Sequence, residues 1–206
     1  MKKIFLLSVL ATVFYFTSSA QMNDNTYKKE WAAIDSLILV KSLPKSALKK
    51  VNELYADANS KNLEGQSIKA LLYKMSLEAM VNDNDGNAQL LLLEKEINTA
   101  KNVAQKSILQ VILANAYQMY FNNYRWRIYQ RSKTVDFKKE DPATWNADDF
   151  EKTISTLYTK ALAPATQLQQ TDLKPYSAII VEGNTKGLRP TLYDLLTHKA
   201  LDYFKD

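Results

Sequence analysis

The residues in this chain that could do chemistry are few and scattered. His198 is the single histidine, set between Thr197 and Lys199 in the last helical stretch. A general base there would need a nucleophile within hydrogen-bond reach. A helix residue bonded to a neighbour is the simpler reading, and the one adopted. The chain has no cysteine, which removes thiol catalysis and the common clustered zinc sites. The run Asn82-Asp83-Asn84-Asp85-Gly86-Asn87 has the composition of a calcium loop. With Gly86 at the sharp turn, however, two ligand positions fall on Val81 and Leu92, both apolar, so the run reads as a turn between helices. Asp148 and Asp149 sit at an expected helix N-terminus, where the dipole favours them without any acid–base role. No glycine-rich phosphate loop exists. The sequence points to a protein that is not an enzyme and needs no cofactor or metal.

The most unusual segment is Asn122 to Arg131, in which Tyr124, Trp126 and Tyr129 alternate with Arg125, Arg127 and Arg131. Such a run could bind anions or stack bases. Helical spacing puts Tyr124 with Ile128 and Arg125 with Tyr129, so arginine stems covering aromatic core residues explain it without a ligand. Arg125, Arg127 and Arg131 are the candidate partner-binding residues. The spacing also leads us to expect that Arg125-Trp126-Arg127 packs inward against the connection holding Phe137 and Trp145.

The elements that carry these residues read as helices throughout. Only 4 Gly and 5 Pro are present, little material for the turns that short strands need. Apolar residues at helical spacing predict helices over Tyr27–Lys41, from Pro44 to about Ser60, and from Glu64 to Val81. Two more follow over about Ala88–Lys101 and Val103–Gln130, and another from the Asn146 cap to Leu162. Lys41 is expected to lay its stem along the first stripe. Pro44 suits the first helical turn, where its missing N–H costs nothing. The helix over 103–130 is apolar on most sides and reads as the buried centre. Residues 163–187 read mostly as loop, with Tyr176 to Val181 open between a helical turn and an extended piece. A final helix is expected from Pro190, with Leu192, Leu195, Leu196, Lys199 and Tyr203 on one face and Phe204 beside it.

The first twenty residues read as a leader, with Lys2 and Lys3, an apolar run from Ile4 to Phe16, and Ser18-Ser19-Ala20 before Gln21. The expected organisation is therefore a signal peptide over 1–20 and a helical domain over 21–206, with a candidate division into 21–102 and 103–206. That implies an exported protein of the periplasm or cell envelope, with no membrane span after cleavage. The net charge of +5 falls to +3 without Lys2 and Lys3, too little for a nucleic-acid footprint. Hydrophobic residues make up 46% of the chain, a globular composition. The stop at Asp206, directly after an apolar helix, reads as a boundary inside a longer polypeptide.

Three blocks in order are similar to the N-terminal region of bacterial alpha-2-macroglobulin family proteins. The first is Leu43-Pro44-Lys45-Ser46-Ala47-Leu48 with Val51-Asn52-Glu53-Leu54-Tyr55 and Gln66 to Tyr73. The second is Asn123 to Arg131, running into Thr134-Val135-Asp136-Phe137 and Ala143-Thr144-Trp145. The third is Leu188 to Leu195 with His198 to Phe204. The resemblance implies a helical leader preceding the β-sandwich, bait and thioester parts of an envelope protease trap, none of which is visible here. It carries no catalytic residues onto this chain.

The fold class expected is all-α: antiparallel helical hairpins in an irregular tetratricopeptide-like array, without a clear repeat. The function expected is a non-catalytic helical module of an exported alpha-2-macroglobulin-like protein, inhibiting proteases only as part of a longer chain. The alternative is a free-standing tetratricopeptide-like scaffold binding a protein or peptide. Either way the partner is protein.

Overall fold

The computed structural model describes residues 24–82, 87–131, 141–181 and 187–205. The expected leader, the tip of the calcium-like run, Val135 and Phe137 lie outside the described residues. The chain is all-α, with eight helices packed as adjacent pairs and no strand among the described residues.

The first three helices share one core. Helices α1 (Asp24–Leu39), α2 (Pro44–Ser60) and α3 (Glu64–Asn82) bury Tyr27, Trp31, Ile34, Ala47, Val51, Leu54, Ala70 and Leu77 together. Polar groups seated at its margin are paired: Trp31 Nε1 donates to Gln66 Oε1 at 2.8 Å, and Tyr73 donates to Asp35 at 2.9 Å. Pro44 opens α2 as expected. Helix α1 stops at Leu39, short of Lys41. Ser42 turns the chain through a left-handed conformation with φ 53°, so Lys41 is exposed and does not extend the stripe. Asn62 makes the corresponding turn before α3 with φ 55°, a conformation asparagine tolerates well.

Helix α3 is apolar on two sides. Ala70 and Leu77 face the first core, whereas Ile68, Leu71 and Met75 face a second. That second core is built on α4 (Asn87–Asn98), α5 (Val103–Tyr129), α6 (Ala147–Leu162), the short α7 (Ala165–Gln169) and α8 (Leu192–Phe204). Helix α5 is its axis, packing against α4, α6, α7 and α8. Asn102 caps it by accepting from the Gln105 N–H at 2.9 Å.

The burial of α5 is uneven. Its first half is buried through Leu113, Ala114 and Tyr117, while Met119 is exposed and only Ile128 is fully buried beyond it. The expectation of a helix central along its whole length therefore holds for its N-terminal part only. Helix α6 starts at the Asn146 cap in a reciprocal capping box with Asp149. Helix α8 begins after Thr191, two residues later than Pro190, because Thr191 and Asp194 form a second capping box there. Leu192, Leu196 and Ala200 are its buried face, with Lys199 exposed.

The stretch left open at Tyr176 is a 3-10 turn over Lys174–Tyr176 followed by further turns, and Tyr176 is buried. It docks on the start of α3, where the Glu64 carboxylate accepts both the Tyr176 hydroxyl and the Asn102 side-chain amide. Gly65 makes this possible. A Cβ there would lie 2.3 Å from the Pro175 carbonyl oxygen, which only the absence of a side chain avoids.

Candidate functional site

The arginine–aromatic segment does not converge on a site. The Arg125 guanidinium lies 5.5 Å from the Tyr129 ring centre, and that of Arg127 lies 4.5 Å from the Tyr124 ring. Helical positions two apart face different directions, so the two cations cannot act on one ligand through the helix surface alone. Arg131 reaches back instead, donating from Nη1 to the Trp145 carbonyl at 3.0 Å. Trp126 is 79% exposed. The expectation that Arg125-Trp126-Arg127 packs inward is overturned: the buried line along this half of α5 runs through Tyr117, Phe121, Tyr124 and Ile128. Trp126 stands roughly 200° around the helix from both Tyr124 and Ile128 and therefore points to solvent. Trp145 is buried, but against Tyr117 and Phe150.

His198 pairs along its own helix, Nδ1 lying 3.2 Å from an Asp202 carboxylate oxygen. This is the neighbour bond expected. Among the described residues no group of three or more His, Cys, Asp or Glu is placed to hold a metal ion, and no helix is long and apolar enough to cross a membrane. Asp149 is held in the α6 capping box, accepting from the Asn146 N–H at 3.1 Å.

What the fold does assemble is a cleft of about 860 Å³ between α4 and α6, floored by α5. Glu94, Ile97 and Asn98 come from α4; Lys106, Ser107, Gln110, Leu113 and Tyr117 come from α5. Lys152, Thr153, Thr156, Leu157 and Lys160 form the α6 wall, and Trp145 and Pro164 lie at its ends. The volume falls within the roughly 300–1,000 Å³ usual for ligand sites. Tyr117 donates to Glu94 at 2.9 Å. Burial, then the charge of Glu94, raises the Tyr117 phenol well above its ordinary value. The lining combines apolar side chains with hydroxyl, amide, carboxylate and ammonium groups.

Sequence reasoning missed this cleft, although a signal was present. Val103, Ser107, Gln110, Leu113 and Tyr117 recur at helical spacing on α5, inserting two polar residues into its most apolar stretch. Asp149, Thr153, Thr156 and Lys160 do the same on α6.

Comparisons with protein-family models, with curated proteins and with solved structures returned no match.

Proposed function

We propose that this chain is a non-catalytic helical module that holds polypeptide, built of antiparallel hairpins in an irregular tetratricopeptide-like array. The single observation carrying that reading is the cleft between α4 and α6, with an apolar floor, and an amide and hydroxyls beneath a charged rim. In biological terms the module is the N-terminal helical region of an exported alpha-2-macroglobulin-family protein, contributing to protease inhibition at the cell envelope as part of a longer chain.

The family placement is supported by the order of the three sequence blocks and by what their residues do. Ala47, Val51, Leu54, Ile68 and Leu71 of the first are buried, as is Trp145 of the second. In the third, Thr191 and Asp194 form the α8 capping box. These are the positions on which a helical scaffold of this shape depends.

Mass spectrometry of the native protein separates the two settings. Peptides continuing past Asp206 into macroglobulin-like sequence place the module in a longer trap. A mature species ending at Asp206 makes it a free-standing scaffold using the same cleft, and that result would overturn the family placement.

A further inference from the structure

The charges around the cleft are unevenly committed. Its two carboxylates are both in use: Glu94 accepts the Tyr117 hydroxyl, and Asp149 accepts the Asn146 N–H. Lys106, Lys152 and Lys160, from α5 and α6, also line the cleft. None of the three ammonium groups has a hydrogen bond or ion pair with any other described residue, and all three side chains are exposed. The lining therefore sets three ammonium groups against two carboxylates, a net charge of +1, over an apolar floor.

Beneath the rim lies a second, independent feature. Gln110 is only 7% exposed and Ser107 only 1%, both line the cleft, and neither side chain bonds another described residue, so their polar atoms open into the cleft rather than being sealed without a partner. A glutamine amide offers a donor and an acceptor together, which is the complement of a peptide bond's C=O and N–H. No aromatic face is free to stack a base, because Trp145 is 2% exposed and stacked on Tyr117.

We infer that the cleft takes an acidic peptide segment. An apolar side chain sits against Leu113 and Leu157, a peptide amide pairs with Gln110, and flanking Asp or Glu carboxylates meet Lys106, Lys152 and Lys160. This rests on the reading of the cleft as a polypeptide site, and it names the chemistry of the polypeptide.

The test uses the full chain and short fluorescent peptides read by anisotropy: one with a central Leu flanked by Glu, its Gln-for-Glu analogue, and its Ser-for-Leu analogue. The acidic peptide is expected to bind on the order of tenfold or more tightly than the Gln analogue, because several exposed charge pairs act together. That advantage should shrink as salt rises past physiological strength, where the screening length is about 8 Å. The triple variant Lys106→Glu, Lys152→Glu, Lys160→Glu, altered only at exposed positions, should keep its helicity and lose the preference. Gln110→Ala should weaken all the peptides several-fold, as expected when one buried hydrogen-bonding group is lost.

Equal binding of acidic and neutral peptides, unchanged by the triple variant but weakened by Gln110→Ala, would overturn the acidic specificity and leave a polypeptide site. Binding that neither set of changes affects would overturn both, since the peptide then sits elsewhere. Competition by inorganic phosphate as effective as the peptide itself would reduce the cleft to an anion site and also overturn the inference.

Discussion

Tyr117 on α5 donates its hydroxyl to Glu94 on α4 at 2.9 Å, while the same ring stacks on Trp145 with centroids 5.0 Å apart. One residue thus ties the floor of the cleft to one wall and to the loop that leads into the other. Tyr117→Phe keeps the ring and deletes the bond. The expected cost is about 1 kcal/mol in denaturant unfolding, the usual net worth of such a hydrogen bond. A loss above about 3 kcal/mol would show that the ring packing depends on the hydroxyl.

The two tryptophans flanking this region should behave oppositely. Trp145→Ala removes a side chain 2% exposed from contact with Tyr117 and Phe150, and should cost about 3–5 kcal/mol. Trp126→Ala removes one that is 79% exposed, and should change stability by less than about 0.5 kcal/mol. Equal costs in urea melts would contradict the orientation of the C-terminal half of α5.

Gly65→Ala is a test of how the 3-10 turn is docked. Alanine in a helix is ordinarily better than glycine by up to about 1 kcal/mol. Here its Cβ would stand 2.3 Å from the Pro175 carbonyl oxygen and 3.0 Å from the Tyr176 Cα, backbone that cannot rotate aside. Overpacking of about 1–3 kcal/mol should outweigh the propensity gain and free the Tyr176 hydroxyl from Glu64. A variant more stable than the parent would mean that the turn does not press on α3.

Alkaline pH should unfold the protein early. Burial, followed by a hydrogen bond to Glu96, pushes Tyr55 up to about 12. Burial and the neighbouring Asp57, Glu94 and Glu64 carboxylates likewise raise Tyr27, Tyr117 and Tyr176. In the unfolded chain these phenols titrate near 10. Their raised folded values mean that the unfolded state releases protons first, so stability is complete below about pH 10 and falls as pH rises toward 12 and beyond. Melting temperature should drop across that interval. Phenolate absorbance appearing in full near pH 10 with helicity intact would place these rings in solvent.

Much of the fold was legible because its devices are local. Pro44 marks the start of α2, Asn146 with Asp149 marks that of α6, and the apolar spacing through Ile108, Val111 and Ala114 gives the buried part of α5. The end of α1 was not legible, since nothing local announces that Ser42 turns the chain through positive φ. Trp126 was misread because aromatic character was weighted above helical phase: Tyr124 and Ile128 do point together, and that same phase puts Trp126 on the far side. The cleft was missed for a different reason. The polar residues recurring at helical spacing on α5 and α6 hint at a shared face, but the space exists only because α4 and α6 both pack on α5 and leave a gap between them.

Site-specific photocrosslinking in cells decides whether the cleft holds polypeptide. A photoreactive residue replaces Thr156, which lines the cleft, and in a separate protein replaces Glu53, an exposed residue of α2. Position 156 should crosslink to a defined polypeptide segment, bearing carboxylates beside an apolar side chain, and position 53 should give no crosslink of comparable yield. Equal yields from both positions, or crosslinks from 156 to small molecules alone, would contradict that expectation.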